Sequence, residues 1–158
     1  MKGQCLFCKI YKNKEGILFE NIHFYSKYDI NPVAPGHVRV IPKEHIVSIF
    51  DLNNSQWEEL YQALKETVKI VEKEDFETFY KNALVSSIDE KANKFYSRML
   101  SHAGIKKKPQ GYNIGLNEGE AAGRTIHHLH IHIIPRYYGD IPDPRGGIRN
   151  IIPELGKY

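Results

Sequence analysis

Three histidines alternate with apolar residues in the stretch HHLHIHII, residues 127–134 of this 158-residue chain. Side chains of a β-strand point alternately to opposite faces, so the spacing predicts that His128, His130 and His132 share one face. The aliphatic side chains between them would form the other, buried face. An imidazole titrates near neutral pH and can act as nucleophile, proton carrier or metal ligand. The pattern therefore predicts a functional face backed by a hydrophobic one.

Two other interpretations of this stretch remain open from the residues alone. The strand could be half-buried, with histidines that only face solvent. Three histidines at period two are unusual, however, in a chain that holds eight in total. All three could also ligate one metal ion, but neighbouring side chains on one strand face start about 6.6 Å apart. A metal held by two of them with ligands from elsewhere is geometrically easier.

Cys5 and Cys8 are the only cysteines, and they form a C-x-x-C pair near the N-terminus. Residues so close in sequence cannot hold distant parts of a fold together, so we do not expect a structural disulfide. The same spacing occurs in zinc sites and in thiol redox centres. A redox centre ranks lower, because the pair does not open a recognisable helix that follows a strand, as a thioredoxin-like motif does.

The predicted strands share β-branched and aromatic residues between turn signals. They comprise a hairpin at residues 17–28 that turns near residues 20–21, and single strands at residues 37–41, 112–117 and 125–134.

Helices are predicted between the two groups of strands. Ser55 and Glu58 form a capping-box pattern, and apolar residues recur at helical spacing from there to residue 71. Residues 76–99 continue the helical periodicity, and we interpret their apolar stripe as core packing. The proline- and glycine-rich tail, residues 140–158, is expected to be extended. This order of elements predicts an α+β domain with a largely antiparallel sheet.

The composition is that of an ordinary globular protein, with 26% charged and 41% hydrophobic residues. No segment reaches the roughly 18 consecutive apolar residues of a membrane span, and the N-terminus lacks the apolar core of a secretion signal. We therefore expect a cytoplasmic protein without a membrane partner. The formal net charge of +3 is too small to predict a nucleic-acid partner, and the lysines at 106–108 are expected in a solvated loop.

The histidine stretch resembles the H-φ-H-φ-H-φ-φ signature of the histidine triad (HIT) family, in which φ is apolar. Further similarity lies in CLFCKI, in DINPVAPGHVRVIPKEHI and in YNIGLNEGEAAGRT. The tail IPRYYGDIPDPRGGIR resembles bacterial-type members that hydrolyse dinucleoside polyphosphates. The resemblance is weak only between about residues 75 and 110. It implies a HIT-like fold, with a single domain over residues 1–158 and a helical insertion at about residues 75–110.

The resemblance also implies catalytic roles for three histidines. His130 matches the family's nucleophile, which attacks phosphorus and forms a nucleotidyl-histidine intermediate. His132 matches a residue that contacts the α-phosphate. His37, in the APGH turn, matches another histidine of the same pocket, and hydrogen-bond donors there would stabilise charge on the phosphate oxygens.

Four further positions are matched to substrate binding. The resemblance implies that Asp29 accepts hydrogen bonds from the ribose hydroxyls, that Asn117 holds the phosphate region and that Thr125 lies near the leaving group. Arg124 stands where many members have glutamine, and it could either bind a polyphosphate or point to solvent. The base could enter an apolar slot formed by side chains near Asp29, namely Phe7, Ile10, Ile22 and the strand around Phe24.

The resemblance supplies partners for the cysteine pair as well. His45 and His128 match the residues that complete a site with Cys5 and Cys8 in zinc-bearing members. Two thiolates and two imidazoles around zinc form a closed, structural site. We therefore expect structural zinc, which would hold the N-terminus against the histidine stretch.

The expected function is hydrolysis of a nucleotide at its α-phosphate, with dinucleoside polyphosphates such as diadenosine tetraphosphate as the favoured substrates. Adenosine phosphoramidase activity is the close alternative, because it uses the same intermediate. A nucleotide-binding regulatory module with little turnover is the alternative from another class. Family members commonly form dimers, and the helix predicted from residue 55 to residue 71 could supply the interface of a homodimer.

Overall fold

The computed structural model describes residues 5–152, in which five strands form one sheet with the order β1-β2-β3-β5-β4. Every pair of neighbours in the sheet is antiparallel. The strands are β1 (Phe19–Glu20), β2 (Phe24–Tyr28), β3 (Val38–Pro42), β4 (Gly111–Gly115) and β5 (Ile131–Arg136). The predicted α+β class with an antiparallel sheet is confirmed.

The helices are α1 (Leu6–Lys12), α2 (Asn54–Lys73), α3 (Phe76–Ser86) and α4 (Glu90–Leu100), with short 3₁₀ turns at Ile49–Asp51, Glu120–Ala122 and Gly147–Ile151. Among the described helices, none combines the length and apolar character needed to cross a bilayer.

The two faces of the sheet bury different hydrophobic clusters. Val38, Val40 and Ile133 belong to the larger cluster, which the long helix α2 covers. On the opposite face, Phe7 of α1 packs with Ile41 in a smaller cluster. Because α1 covers only part of this second face, the remainder is left for polar residues of the central strands.

Helix α2 has its N-cap two residues earlier than the sequence pattern predicted. Its N-cap is Asn53, whose side chain accepts a hydrogen bond from the backbone N–H of Gln56, while the Gln56 side chain accepts from the N–H of Asn53. The predicted Ser55 and Glu58 capping box is therefore wrong. Asparagine caps a helix at least as well as serine, and its reciprocal partner lies three residues on in both cases.

The helical segment predicted at residues 76–99 is interrupted. Ser87 ends α3, and Asp89 caps α4 by accepting a hydrogen bond from the backbone N–H of Lys91. Ile88, which the periodicity placed in the apolar stripe, is fully exposed in this break. The two helices pack against each other, and Phe76 and Met99 contribute to the larger hydrophobic cluster.

The last predicted strand starts later than expected. Only His132 of the three histidines lies within β5, because the preceding backbone leaves the sheet: the N–H of Leu129 donates to the carbonyl of Ile46 instead of to a strand. Beyond β5, the tail forms a 3₁₀ turn at Gly147–Ile151, and the rest of the predicted extended tail lies outside the described residues.

Candidate functional site

The side chains of the three histidines do not all lie together at the start of β5. The side chain of His128 is fully buried, and His130 retains 8% of its area exposed. The rings of His130 and His132 lie on the Phe7 side of the sheet, with their centroids 5.1 Å apart. The alternation predicted from the sequence therefore brings two of the three imidazoles together, while the first turns toward the N-terminal helix.

The hydrogen bond at Nδ1 of His130 determines which nitrogen of that ring is reactive. Nδ1 lies 2.8 Å from the carbonyl oxygen of His128, and a carbonyl can only accept, so Nδ1 carries the hydrogen. Burial lowers the pKa of His130, which keeps the ring neutral near pH 7. The unprotonated Nε2 therefore has a lone pair available for nucleophilic attack.

His37 and His132 form a directed hydrogen-bond pair. The N–H of Val33 donates to Nδ1 of His37, so the hydrogen of that ring is on Nε2, which lies 2.9 Å from Nδ1 of His132. His132 accepts there and consequently presents an Nε2–H donor. Burial lowers the pKa of both rings to about 4, so both are neutral at pH 7.

Asp29 lies beside this pair rather than in the open. Its Oδ1 accepts the backbone N–H of Asn31, and its Oδ2 lies 3.1 Å from Nε of Arg39. The same Oδ2 is 3.7 Å from His37 and 3.9 Å from His132. Arg39 was not among the residues predicted for the site, although a charged residue between two valines of a strand is a signal that could have identified it.

The apolar slot expected for the base is not assembled from the expected residues. Ile22 is 73% exposed, and Phe24 packs on the opposite face of the sheet with the α2 cluster. Phe7 does lie at the site, with its ring centroid 5.2 Å from that of His130. Its ring face, however, carries the guanidinium of Arg39 at 4.9 Å, so the surroundings are cationic as well as apolar.

The loop between β4 and β5 carries the three remaining predicted substrate residues. Asn117 and Thr125 are exposed, and the Asn117 amide donates to the carbonyl of Gly123. Arg124 does not point to solvent, because its Nη1 donates to the carbonyl of Val47 and pairs with Glu118 at 3.1 Å. No hydrogen bond or ion pair between the described residues joins these three side chains to the histidines.

Helix α3 and the residue after β5 support the turn that carries His37. The Tyr80 hydroxyl of α3 accepts the backbone N–H of Gly36 at 3.4 Å, and the hydroxyl of Tyr137 donates to the carbonyl of Pro35 at 2.9 Å. Gly36 has a φ of +80°, and the ring of Phe76 fills the space where a side chain would lie. These contacts fix the start of β3, and no local sequence pattern predicts them.

Cys5, Cys8, His45 and His128 form a compact cluster at the start of α1. All four ligand atoms lie within 4.8 Å of one another. Nδ1 of His128 is 3.2 Å from Sγ of Cys5 and 3.6 Å from Sγ of Cys8, and His45 Nδ1 is also 3.6 Å from Cys8. Thiolate sulfur and imidazole nitrogen around tetrahedral zinc are about 3.5 Å apart, given the usual bond lengths.

The second nitrogen of His128 also fits a metal site. Nε2 is 2.9 Å from the carbonyl oxygen of Pro42 and must carry the hydrogen, which leaves a lone pair on Nδ1 facing the two sulfurs. The two cysteines are not joined by a disulfide. The donor set and its orientation therefore fit a closed metal site of the Cys₂His₂ type.

Comparison with known proteins identifies one domain family for most of the chain. The HIT domain profile matches residues 11–139. Adenosine 5′-monophosphoramidase of Candida albicans is 25% identical over 136 residues, which are 85% of this chain and 71% of that protein. The asymmetrical bis(5′-nucleosyl)-tetraphosphatase of Schizosaccharomyces pombe is 27% identical over 115 residues, or 73% of this chain and 46% of that protein.

A crystal structure of a HIT family protein from Bacillus anthracis superposes with a TM-score of 0.58 at 27% identity, covering 87% of this chain and 77% of that one. The profile match extends over most of the chain and includes the APGH turn and the three alternating histidines. The chain therefore belongs to the HIT domain family.

Proposed function

We propose that this protein hydrolyses nucleotides at the α-phosphate through a covalent intermediate on His130. The observation that supports this most directly is the hydrogen bond from Nδ1 of His130 to the carbonyl of His128, which leaves Nε2 as a free nucleophile. A neutral imidazole with an unprotonated nitrogen is suited to attack on phosphorus.

In the first step the Nε2–P bond forms while the bond from phosphorus to the leaving group breaks, and the leaving group departs with that electron pair. The ring of His130 becomes positively charged, and the carbonyl of His128 stabilises the charge at Nδ1–H. In the second step the oxygen of water bonds to phosphorus, the Nε2–P bond breaks, and a proton is released to solvent. The products are a mononucleotide and neutral His130.

His132 and His37 act on the phosphate in different ways in this proposal. The Nε2–H of His132 donates to a non-bridging oxygen, where negative charge develops. His37 is a positioning residue, because its Nε2–H fixes the tautomer of His132 through their 2.9 Å contact. Because both rings are neutral at pH 7, His37 is the donor and His132 the acceptor in this contact.

The substrate-binding roles of the remaining residues follow the family resemblance and are proposals. Asp29 would contact the ribose, Asn117 the phosphate region and Thr125 the leaving group. Asn117 and Thr125 are exposed, and a ligand would replace the hydrogen bond from Asn117 to the carbonyl of Gly123. Asp29 would have to share its carboxylate with Arg39, which lies 3.1 Å away.

Two leaving groups are candidates. The sequence favoured a polyphosphate, as in diadenosine tetraphosphate, partly because Arg124 and Arg136 could bind an anionic chain. Arg124, however, is paired with Glu118, and Arg136 with Asp140 at 2.7 Å, so both charges are offset within the protein. This pairing favours an amine leaving group, as in an adenosine phosphoramidate, which is what the name of the Candida albicans relative describes.

The experiment is a turnover assay of the purified chain with diadenosine tetraphosphate and with adenosine 5′-phosphoramidate, repeated with His130→Ala and His127→Ala. We expect turnover of at least one substrate, its loss by more than about 10³-fold in His130→Ala, and little change in His127→Ala. Tight nucleotide binding without turnover in the wild type would support a regulatory module and contradict the hydrolase.

We also propose that the Cys5, Cys8, His45 and His128 cluster holds a structural zinc ion. The ligand spacings and the lone pair on Nδ1 of His128 support it. Bound zinc would supply folding free energy by joining α1 to the segment before β5. It takes no part in the phosphate chemistry, since four protein ligands leave no open position.

A homodimer through α2 remains a proposal. Trp57 and Tyr61 lie one turn apart on this helix and are 47% and 61% exposed, and such an aromatic patch is typical of protein interfaces. Sedimentation at micromolar concentration should give a dimer for the wild type and for Lys69→Glu, and a monomer for Trp57→Glu/Tyr61→Glu. A wild-type monomer contradicts the dimer.

A further inference from the structure

Two cations lie in one row with His132 on the face of the sheet that α1 partly covers. The antiparallel register aligns Lys27 of β2 with Arg39 of β3, and Arg39 with His132 of β5. Asp29 follows Lys27 by two residues on the same face, and its carboxylate contacts Arg39. The row therefore extends directly from the phosphate-binding histidine to the carboxylate proposed for the ribose.

Arg39 is unusually buried for a charged residue. Its side chain is only 7% exposed, and its guanidinium lies over the ring of Phe7. Arginine is almost never this buried without compensation, because an ion loses its hydration. A single carboxylate, that of Asp29, pairs with it among the described residues, and the same oxygen also faces two histidines.

Lys27 adds a second cation to this environment. Burial and the charge of Arg39 lower the pKa of Lys27, and the carboxylates of Glu15 and Asp29 only partly oppose them. Glu15 is exposed and accepts a hydrogen bond from Asn13, so it offsets the lysine weakly. The row therefore holds two cations and one buried carboxylate, and an anion would balance it.

A metal ion is the competing occupant, since Asp29, His37 and His132 present ligand atoms close together. The guanidinium of Arg39 lies 3.1 Å from the oxygen that would have to bind the metal. A cation placed there would meet the charge of Arg39 at close range in a buried site, which is unfavourable. The surroundings therefore favour an anion over a metal.

We propose that Arg39 and Lys27 form an anion subsite that binds a second phosphate, carried on the ribose of the nucleotide that becomes attached to His130. This inference rests on the proposed function, because it places the sugar of the retained nucleotide beside Asp29. The guanidinium offers paired donors to phosphate oxygens, and the lysine adds charge at closer reach to solvent. Arg39 would thus select nucleotides with a phosphorylated ribose.

The test is calorimetric titration of the full chain with four ligands. Adenosine 5′-monophosphate lacks the second phosphate, whereas adenosine 2′,5′-bisphosphate and 3′,5′-bisphosphate carry it on the ribose. Adenosine 5′-diphosphate carries it on the opposite, leaving-group side and controls for total charge. We expect at least one bisphosphate to bind about tenfold or more tightly than the monophosphate, a gain typical of one charge-assisted contact.

Three variants test which residues cause the preference for a bisphosphate. Arg39→Met and Lys27→Met should each reduce the bisphosphate preference, Arg39→Met to within about twofold of the monophosphate. The ratio of diphosphate to monophosphate affinity should not change. Lys69→Met, on the exposed side of α2, is the matched control and should keep the full preference. If Arg39→Met does not fold by circular dichroism, Lys27→Met carries the test, because Lys27 is only half-buried.

Two results overturn the subsite: wild-type affinities for the monophosphate and both bisphosphates within twofold, or a preference that survives the tested substitutions. Neither result affects the hydrolase proposal, which the His130→Ala turnover assay tests separately. Conversely, a bisphosphate preference without any turnover contradicts the hydrolase while leaving the anion subsite intact.

Discussion

Nε2 of His37 lies 2.9 Å from Nδ1 of His132, and both nitrogens face the same carboxylate oxygen of Asp29. The two rings come from β5 and from the turn before β3, strands that are adjacent in the sheet although 95 residues separate the histidines. Neutral rings can donate in one direction along this pair. Two protonated rings could not, since neither nitrogen would have a lone pair to accept.

Stability should therefore fall in mild acid. Burial lowers the pKa of His37 and of His132 to about 4, so between about pH 4 and 6.5 the unfolded chain binds more protons than the folded one. Stability then rises with pH across that window. We expect the free energy of unfolding in urea to be about 3 to 4 kcal/mol lower at pH 5 than at pH 7 on account of these two rings, roughly half of it from each.

The double variant His37→Gln/His132→Gln isolates this effect. Its unfolding free energy should change less between pH 5 and pH 7 than that of the wild type. His127→Gln is the matched control, because His127 is 65% exposed and should leave the pH dependence as it is. An equal pH dependence in the wild type and the double variant would show that the two rings do not titrate as described.

Gly36 should tolerate no side chain. Its φ is +80°, and a Cβ would lie 2.6 Å from Cζ of Phe76 and 3.1 Å from Cγ1 of Val71. Gly36→Ala combines backbone strain with overpacking, and we expect it to lower the free energy of unfolding by about 3 kcal/mol. Because His37 is the next residue, turnover should fall as well.

Gly139→Ala is the comparison that separates the two costs. Gly139 has a φ of +86° but nothing within 4 Å of its added Cβ, so only the backbone strain applies. We expect a loss of about 1 kcal/mol, measured by urea unfolding at the same pH. Equal losses at the two glycines would mean that the contact with Phe76 relaxes without cost.

The N-terminus of α2 provides a third prediction. Asn53→Ala removes the side chain that accepts from Gln56 N–H, and it should lower the free energy of unfolding by about 1 kcal/mol. Ser55→Ala should change it by less than about 0.5 kcal/mol, because Ser55 lies inside the helix with an exposed hydroxyl. For a chain of this size, 1 kcal/mol corresponds to a Tm shift of about 2 to 4 °C. A larger loss in Ser55→Ala than in Asn53→Ala would support the capping box that the sequence predicted at Ser55 and Glu58.

Features that depend on local sequence were predictable. The alternation of aliphatic residues around His130 and His132 predicted a buried face and a polar face, since strand geometry fixes that relation within a few residues. The boundaries of the strands and helices were less predictable. The segment before Ile131 leaves the sheet to bond with Ile46, a partner that lies far away in sequence.

The parts of the site that depend on register were not predictable. Lys27 and Arg39 meet His132 only because three strands align in one row, and no local pattern specifies which residue faces which across strands. The hydrogen bond from Gly36 to Tyr80 likewise joins the His37 turn to α3, in the segment where the family resemblance of the sequence is weak. The apolar slot expected for the base is also not assembled from the predicted residues, because strand pairing decides which side chains surround the site.

The Cys5 cluster yields the last prediction, on metal content. The purified chain should hold about one zinc per molecule, since Arg39 disfavours a second ion at Asp29. Cys5→Ser should reduce zinc well below that and lower the free energy of unfolding by at least about 3 kcal/mol, because α1 then loses its link to His128. A chelator should destabilise the wild type and His127→Ala alike but add little to the loss in Cys5→Ser. Wild-type protein that contains no zinc after expression in zinc-supplemented medium, with the same Tm as Cys5→Ser, would show that the four residues hold this region together by hydrogen bonds alone.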